Sequence, residues 1–157
     1  MMKKLVTHAL HHQTPALSQV HCVSTSIIHN NTVYLSSIHP SNFFDSFSHT
    51  HQSNITSQTA NVLSQVDDQL SEAGSSKDHI LRAEVYLKDI KTDFHKMDEV
   101  WNSWQATNEL SFPTRVVVET KLHTHTSSCP HLLAMTGEPP HSKISVVITA
   151  ALPAGNL

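Results

Sequence analysis

The strongest constraint on the fold of this chain lies in residues 80–88. Leu81, Ala83, Val85 and Leu87 alternate with Arg82, Glu84, Tyr86 and Lys88. Successive side chains of a strand point to opposite faces, so this segment is a half-buried strand. The period then changes. Phe94, Met97, Val100, Trp101 and Trp104 recur at helical spacing, and Thr92 or Asp93 offers an N-cap. Pro113 excludes helix from residue 112 onward. Residues 115–121 form another strand, with Val116 and Val118 on one face.

The flanking segments extend this unit. Val20 to Ile28 is rich in β-branched residues, Asn30-Asn31 is a turn signal, and Thr32 to Ser37 pairs back as a hairpin. Residues 1–18 hold a tail or a short strand. Ile55, Thr59, Val62, Leu63, Val66, Leu70 and Ala73 form the stripe of an amphipathic helix, with Gly74 placed to cap its C-terminus. Lys143 to Leu152 is the last strand.

The order is β-β-α-β-α-β-β, an α+β split βαβ pattern in which two helices cover one face of a mixed sheet. One domain spans 1–157, with loop insertions near 39–54 and 123–142. The uncovered face is expected to carry Tyr86, Val117 and Val147. That is too apolar for a wetted surface, and it implies burial against other copies of the chain.

Composition removes several function classes. The net charge of −3 argues against a nucleic-acid partner, which calls for a basic face. No apolar run approaches the ~20 residues of a membrane span. The start, Met1-Met2-Lys3-Lys4, lacks the apolar core of a secretory signal. The segment before Asp45 is free of acidic residues, as a transit peptide would be, but it holds no Arg. The expected location is therefore the cytoplasm, with Cys22 and Cys129 as free thiols. The sequons at Asn30 and Asn54 then read as chance matches.

Several stretches together resemble the Rid family, also called the YjgF/YER057c/UK114 family. They include Val33-Tyr34-Leu35-Ser36, Leu70-Ser71-Glu72-Ala73-Gly74, Val85-Tyr86-Leu87-Lys88-Asp89 and Phe112-Pro113-Thr114-Arg115-Val116-Val117-Val118-Glu119. The resemblance runs from about Ser18 to Pro153, broken by the two loop insertions. It implies a chorismate-mutase-like fold and a homotrimer whose sheets pack into a central barrel, with ligand clefts between subunits. It also implies hydrolysis of reactive 2-imino or enamine acids to 2-keto acids and ammonia, with no cofactor.

Arg115 matches the family arginine that holds the substrate carboxylate. A guanidinium suits that task because it pairs a carboxylate through two parallel hydrogen bonds. A structural ion pair with Glu119 or Asp98 is the competing assignment. Five further positions line the implied site and depart from the family pattern. Val117 stands where Cys is common, so no nucleophile is available there; hydrolysis by water needs none. Ser145 replaces a Glu, and a hydroxyl is a poor acid or base near neutral pH. Leu17 replaces a covering Tyr, Ser37 replaces a Gly, and Asp98 replaces an Asn. These departures keep a second function open, that of a non-catalytic protein binding small carboxylates. RNA cleavage or translation inhibition, a label some relatives carry, fits the charge least.

The 14 histidines raise the question of metal. His49 with His51, and His123 with His125, each put two imidazoles on one side of an extended chain, as zinc or copper ligands would be. Both pairs, like His11-His12, sit in a His-rich chain and read as polar loops, so no metal site is assigned. Trp101 and Trp104 belong to the apolar stripe of the second helix and read as core rather than as a stacking platform.

Overall fold

A computed structural model describes residues 4–6, 24–40, 54–106, 112–122 and 142–153. Most of the two expected insertions, and the histidine pairs they carry, lie outside the described residues, as do Leu17, Cys22 and Cys129. Among the described residues six strands form one mixed sheet: β1 (Lys4–Val6), β2 (Ser26–His29), β3 (Thr32–Leu35), β4 (Ile80–Leu87), β5 (Thr114–Glu119) and β6 (Ile144–Ala151). Their order is β1-β2-β3-β6-β4-β5, with β4 and β5 parallel and all other pairs antiparallel. Helices α1 (Ile55–Glu72) and α2 (Ile90–Gln105) pack on one face, as the periodicities require.

The hairpin turn follows from its two asparagines. Asn30 and Asn31 have φ of 49° and 61°, the left-handed pair of a type I′ turn, which asparagine tolerates better than most residues. Helix α1 buries its whole expected stripe. Asn54 caps its start by accepting from the Ser57 amide at 2.9 Å. At its end Gly74 has φ 80°, and the amides of Ser75 and Gly74 turn back to the carbonyls of Leu70 and Ser71. This is a Schellman closure, and it makes Gly74 a conformational requirement.

Three local expectations need correction. The cap of α2 is Asp89, not Thr92 or Asp93: Asp89 Oδ1 accepts from the amides of Lys91 (3.0 Å) and Thr92 (3.2 Å). Asp93 instead turns inward and pairs with Lys143 at 3.3 Å. Leu81 does not join Ala83, Val85 and Leu87 in the core. The ladder to β6 shifts register between Ile80 and Arg82, so Ile80 is buried while Leu81 is 51 % exposed. Val117 is not on the uncovered face. It pairs in parallel with Val85, so it lies under the helices, and Val116 and Val118 point the other way. The uncovered face is apolar nonetheless, with Tyr34 at 47 % exposure, Val116 at 41 % and Val118 at 40 %.

Two measurements check the caps. Asn54→Ala is expected to lower stability by about 1 kcal/mol in urea unfolding, with an unchanged m-value. Hydrogen bonds from the Thr92 backbone and side chain hold the Asp89 carboxyl below its ordinary range. A depressed folded-state value means that this contribution is present above the unfolded-state range and is lost as pH falls through the folded value. Asp89→Asn should therefore remove part of the acid-side loss of stability and leave its shape at neutral pH unchanged.

Candidate functional site

Arg115 is the second residue of β5, an end strand of the sheet, and projects under α2 beside Val117. Asp98, one helical turn before Asn102, takes Nη2 of the guanidinium as an ion pair. The ring of Trp101 lies beneath, 5.2 Å from Cζ, a cation–π arrangement. Both partners come from one face of α2, at positions 98 and 101, so the helix holds the guanidinium in a fixed plane. Glu119, the other possible partner, instead accepts from the Ile90 amide at 2.9 Å.

The remaining terminal nitrogen is the informative one. Arg115 Nη1 is buried and meets no hydrogen-bond partner among the described residues. Leaving a buried donor unpaired costs about 1–3 kcal/mol or more.

Ser37 and Ser145 form a second group. Ser145 is paired opposite Tyr86 on the uncovered face and is 2 % exposed. Its Oγ lies 2.6 Å from Ser37 Oγ. Ser37 is exposed, in the stretch between β3 and the bridge that Ile38 makes to Val146. It also meets His39 Nε2 at 3.3 Å. His39 was not among the residues singled out from the sequence. Its position two residues after Ser37 in an extended stretch is the only sequence signal that could have pointed to it.

The structure therefore brings Arg115, Asp98 and Val117 together, and Ser37 and Ser145 together, but on opposite faces of one sheet. An open depression of about 810 Å³ near the N-terminus of α2 belongs to neither group. Lys88, Lys91 and Lys143 face Asp89, Asp93 and Glu119 there. Those carboxylates already serve as cap, ion-pair partner and amide acceptor. Among the described residues no cluster of three His, Cys, Asp or Glu suits a metal ion, and no helix is long and apolar enough to cross a membrane.

Comparison with known proteins gives a consistent result. The family model described as Endoribonuclease L-PSP matches residues 11–127. A RutC family protein of Haemophilus influenzae is 32 % identical over 123 residues, covering 78 % of this chain and 84 % of that protein. The RutC family protein YoaB of Escherichia coli is 35 % identical over 99 residues, covering 63 % of this chain and 76 % of its own. The crystal structure of a YjgF-family protein from Neisseria meningitidis superimposes with a TM-score of 0.63 at 29 % identity, covering 83 % of this chain and 87 % of that one.

The Asp98 ion pair predicts a measurable stability effect. Asp98→Ala leaves both terminal nitrogens of Arg115 without a carboxylate, and thermal or urea unfolding should show a loss of about 2 kcal/mol. Asp98→Asn, which keeps an acceptor, should lose less.

Proposed function

Because this chain belongs to the YjgF/RutC family, which shares the Endoribonuclease L-PSP domain, we propose that it hydrolyses reactive 2-imino or enamine acids to 2-keto acids and ammonia. The observation that carries this reading is Nη1 of Arg115, buried and unpaired among the described residues. With Nη2 paired to Asp98 and the plane set against Trp101, the N–H groups of Nη1 are left to meet a carboxylate oxygen. A substrate anchored there presents its C=N carbon to water. The step needs no covalent intermediate, so Val117 in place of a cysteine does not impede it.

The opposite placement of Arg115 and the Ser37–Ser145 pair supports a cleft assembled from two chains. In that arrangement Arg115 comes from one protomer, and Ser37 and Ser145 come from its neighbour. The exposed Tyr34, Val116 and Val118 are suited to the barrel of a homotrimer, since burying such a face offsets the entropy of association. Asp98 acts as the partner that orients Arg115.

Ketoacid release from an imine generated in situ, with semicarbazide as the competing trap, tests the activity. Release above the buffer rate, lost on Arg115→Ala, is the expected result; equal rates with and without protein would end the deaminase reading. Mixed oligomers test the shared cleft. Arg115→Ala and Ser37→Phe chains, each inactive alone, should regain turnover when refolded together. The presence of Ser145 in place of a carboxylate favours a second reading, carboxylate binding without turnover. Calorimetry would then show Arg115-dependent heat with 2-ketobutyrate and no ketoacid production.

A further inference from the structure

The proposed hydrolysis needs a group that moves protons, and Ser145 cannot be that group by itself. We infer that His39 supplies it, acting through the Ser37 hydroxyl, so that the titratable group of this site has moved from the last strand to the segment after β3. This inference rests on the deaminase reading above.

The geometry is a continuous chain of three side chains. Ser145 Oγ lies 2.6 Å from Ser37 Oγ, and Ser37 Oγ lies 3.3 Å from His39 Nε2. Each hydroxyl has one proton and can also accept, so the chain runs in either direction. With neutral His39, Ser145 donates to Ser37 and Ser37 donates to Nε2. With protonated His39, Nε2–H donates to Ser37 and Ser37 donates to Ser145. The two states differ by one proton and by the orientation of two hydroxyls, with no backbone movement.

Burial decides which member meets the reacting water. Ser145 is enclosed and serves as the fixed end that orients Ser37. Ser37 and His39 are exposed. Ser37 is therefore the catalytic hydroxyl, and His39 is a positioning and proton-holding residue behind it. The backbone of His39 is anchored, since its carbonyl accepts from Gln65 Nε2 of α1 at 2.9 Å, and Gln65 is itself held by Asn61 at 3.0 Å. Among the described residues, the groups met by His39 from β6 and α1 are thus the uncharged Ser37–Ser145 pair and Gln65. Partial desolvation of the ring lowers the imidazole from its ordinary value of 6.5. At neutral pH it is an available base.

The step balances. Water attacks the C=N carbon and forms the C–O bond, while its proton passes to Ser37 Oγ and the Ser37 proton passes to His39 Nε2. The C=N electron pair moves to nitrogen, which takes the proton back from the imidazolium by the same route. The resulting carbinolamine gives its hydroxyl proton to the relay and receives it on nitrogen. The C–N bond then breaks, ammonia leaves and the 2-keto acid remains.

The test is the pH dependence of kcat and KM in the full chain and in His39→Gln, which keeps a polar group at position 39 but cannot titrate. In the unchanged protein kcat should fall as pH drops through the His39 range below 6.5. In His39→Gln, kcat should be about 10²-fold lower with that acid limb gone, and KM should stay unchanged because Arg115 is intact. Ser37→Ala should lower kcat similarly while His39 still titrates in an NMR pH series. Turnover by the unchanged protein with the same kcat and acid limb in His39→Gln overturns the relay and leaves the deaminase reading standing. No ketoacid release by the unchanged protein overturns both.

Discussion

The placement of every candidate residue depends on the ladder that β4 makes with β6 on one side and β5 on the other. Ala83, Val85 and Leu87 are fully buried beneath α1 and α2, and that burial fixes which face of β4 is inside. Register then carries the choice to the neighbouring strands. Arg115 pairs with Ala83, and Val117 with Val85, so both go under the helices; Ser145 pairs with Tyr86, so it goes to the uncovered face. A slip of one residue in either pairing would exchange these faces, at the cost of exposing the core residues.

The guanidinium of Arg115 is a half-buried charge held by two different contacts. One carboxylate neutralises it and one indole covers a face, while Nη1 meets no partner among the described residues. Complete pairing would make a structural ion pair with little reason to admit a ligand. Partial pairing leaves a donor in a place of low dielectric, where a hydrogen bond is stronger than in water. Trp104 shows the other outcome on the same helix. Its indole donates to Asp67 at 2.8 Å and its carbonyl accepts from Lys77 at 2.9 Å, so it is satisfied and fastens α2 to α1.

Much of this architecture was legible in the residues. The alternation at 82–88, the two helical stripes, the Asn30-Asn31 turn and Gly74 each express a local rule, and each has its expected place in the fold. The errors arose where a tertiary pairing overrode a local pattern. Alternation alone put Leu81 in the core, but the register shift against β6 gave that place to Ile80. Thr92 and Asp93 had capping chemistry, but Asp89 was positioned to bond two amides, and the demand of Lys143 drew Asp93 inward. Val117 was assigned to the open face because nothing in β5 alone says which side the helices cover.

The sequence by itself determined the elements and the mixed α+β class, because period and capping are properties of short segments, and it made Arg115 a candidate for an anion. Only the tertiary structure decided that Arg115 meets Asp98 and Trp101, that Ser37 joins Ser145 to His39, and that these two groups lie on opposite faces. Those relations cross gaps of up to 108 residues. They are set by strand register and helix packing, which no local pattern encodes.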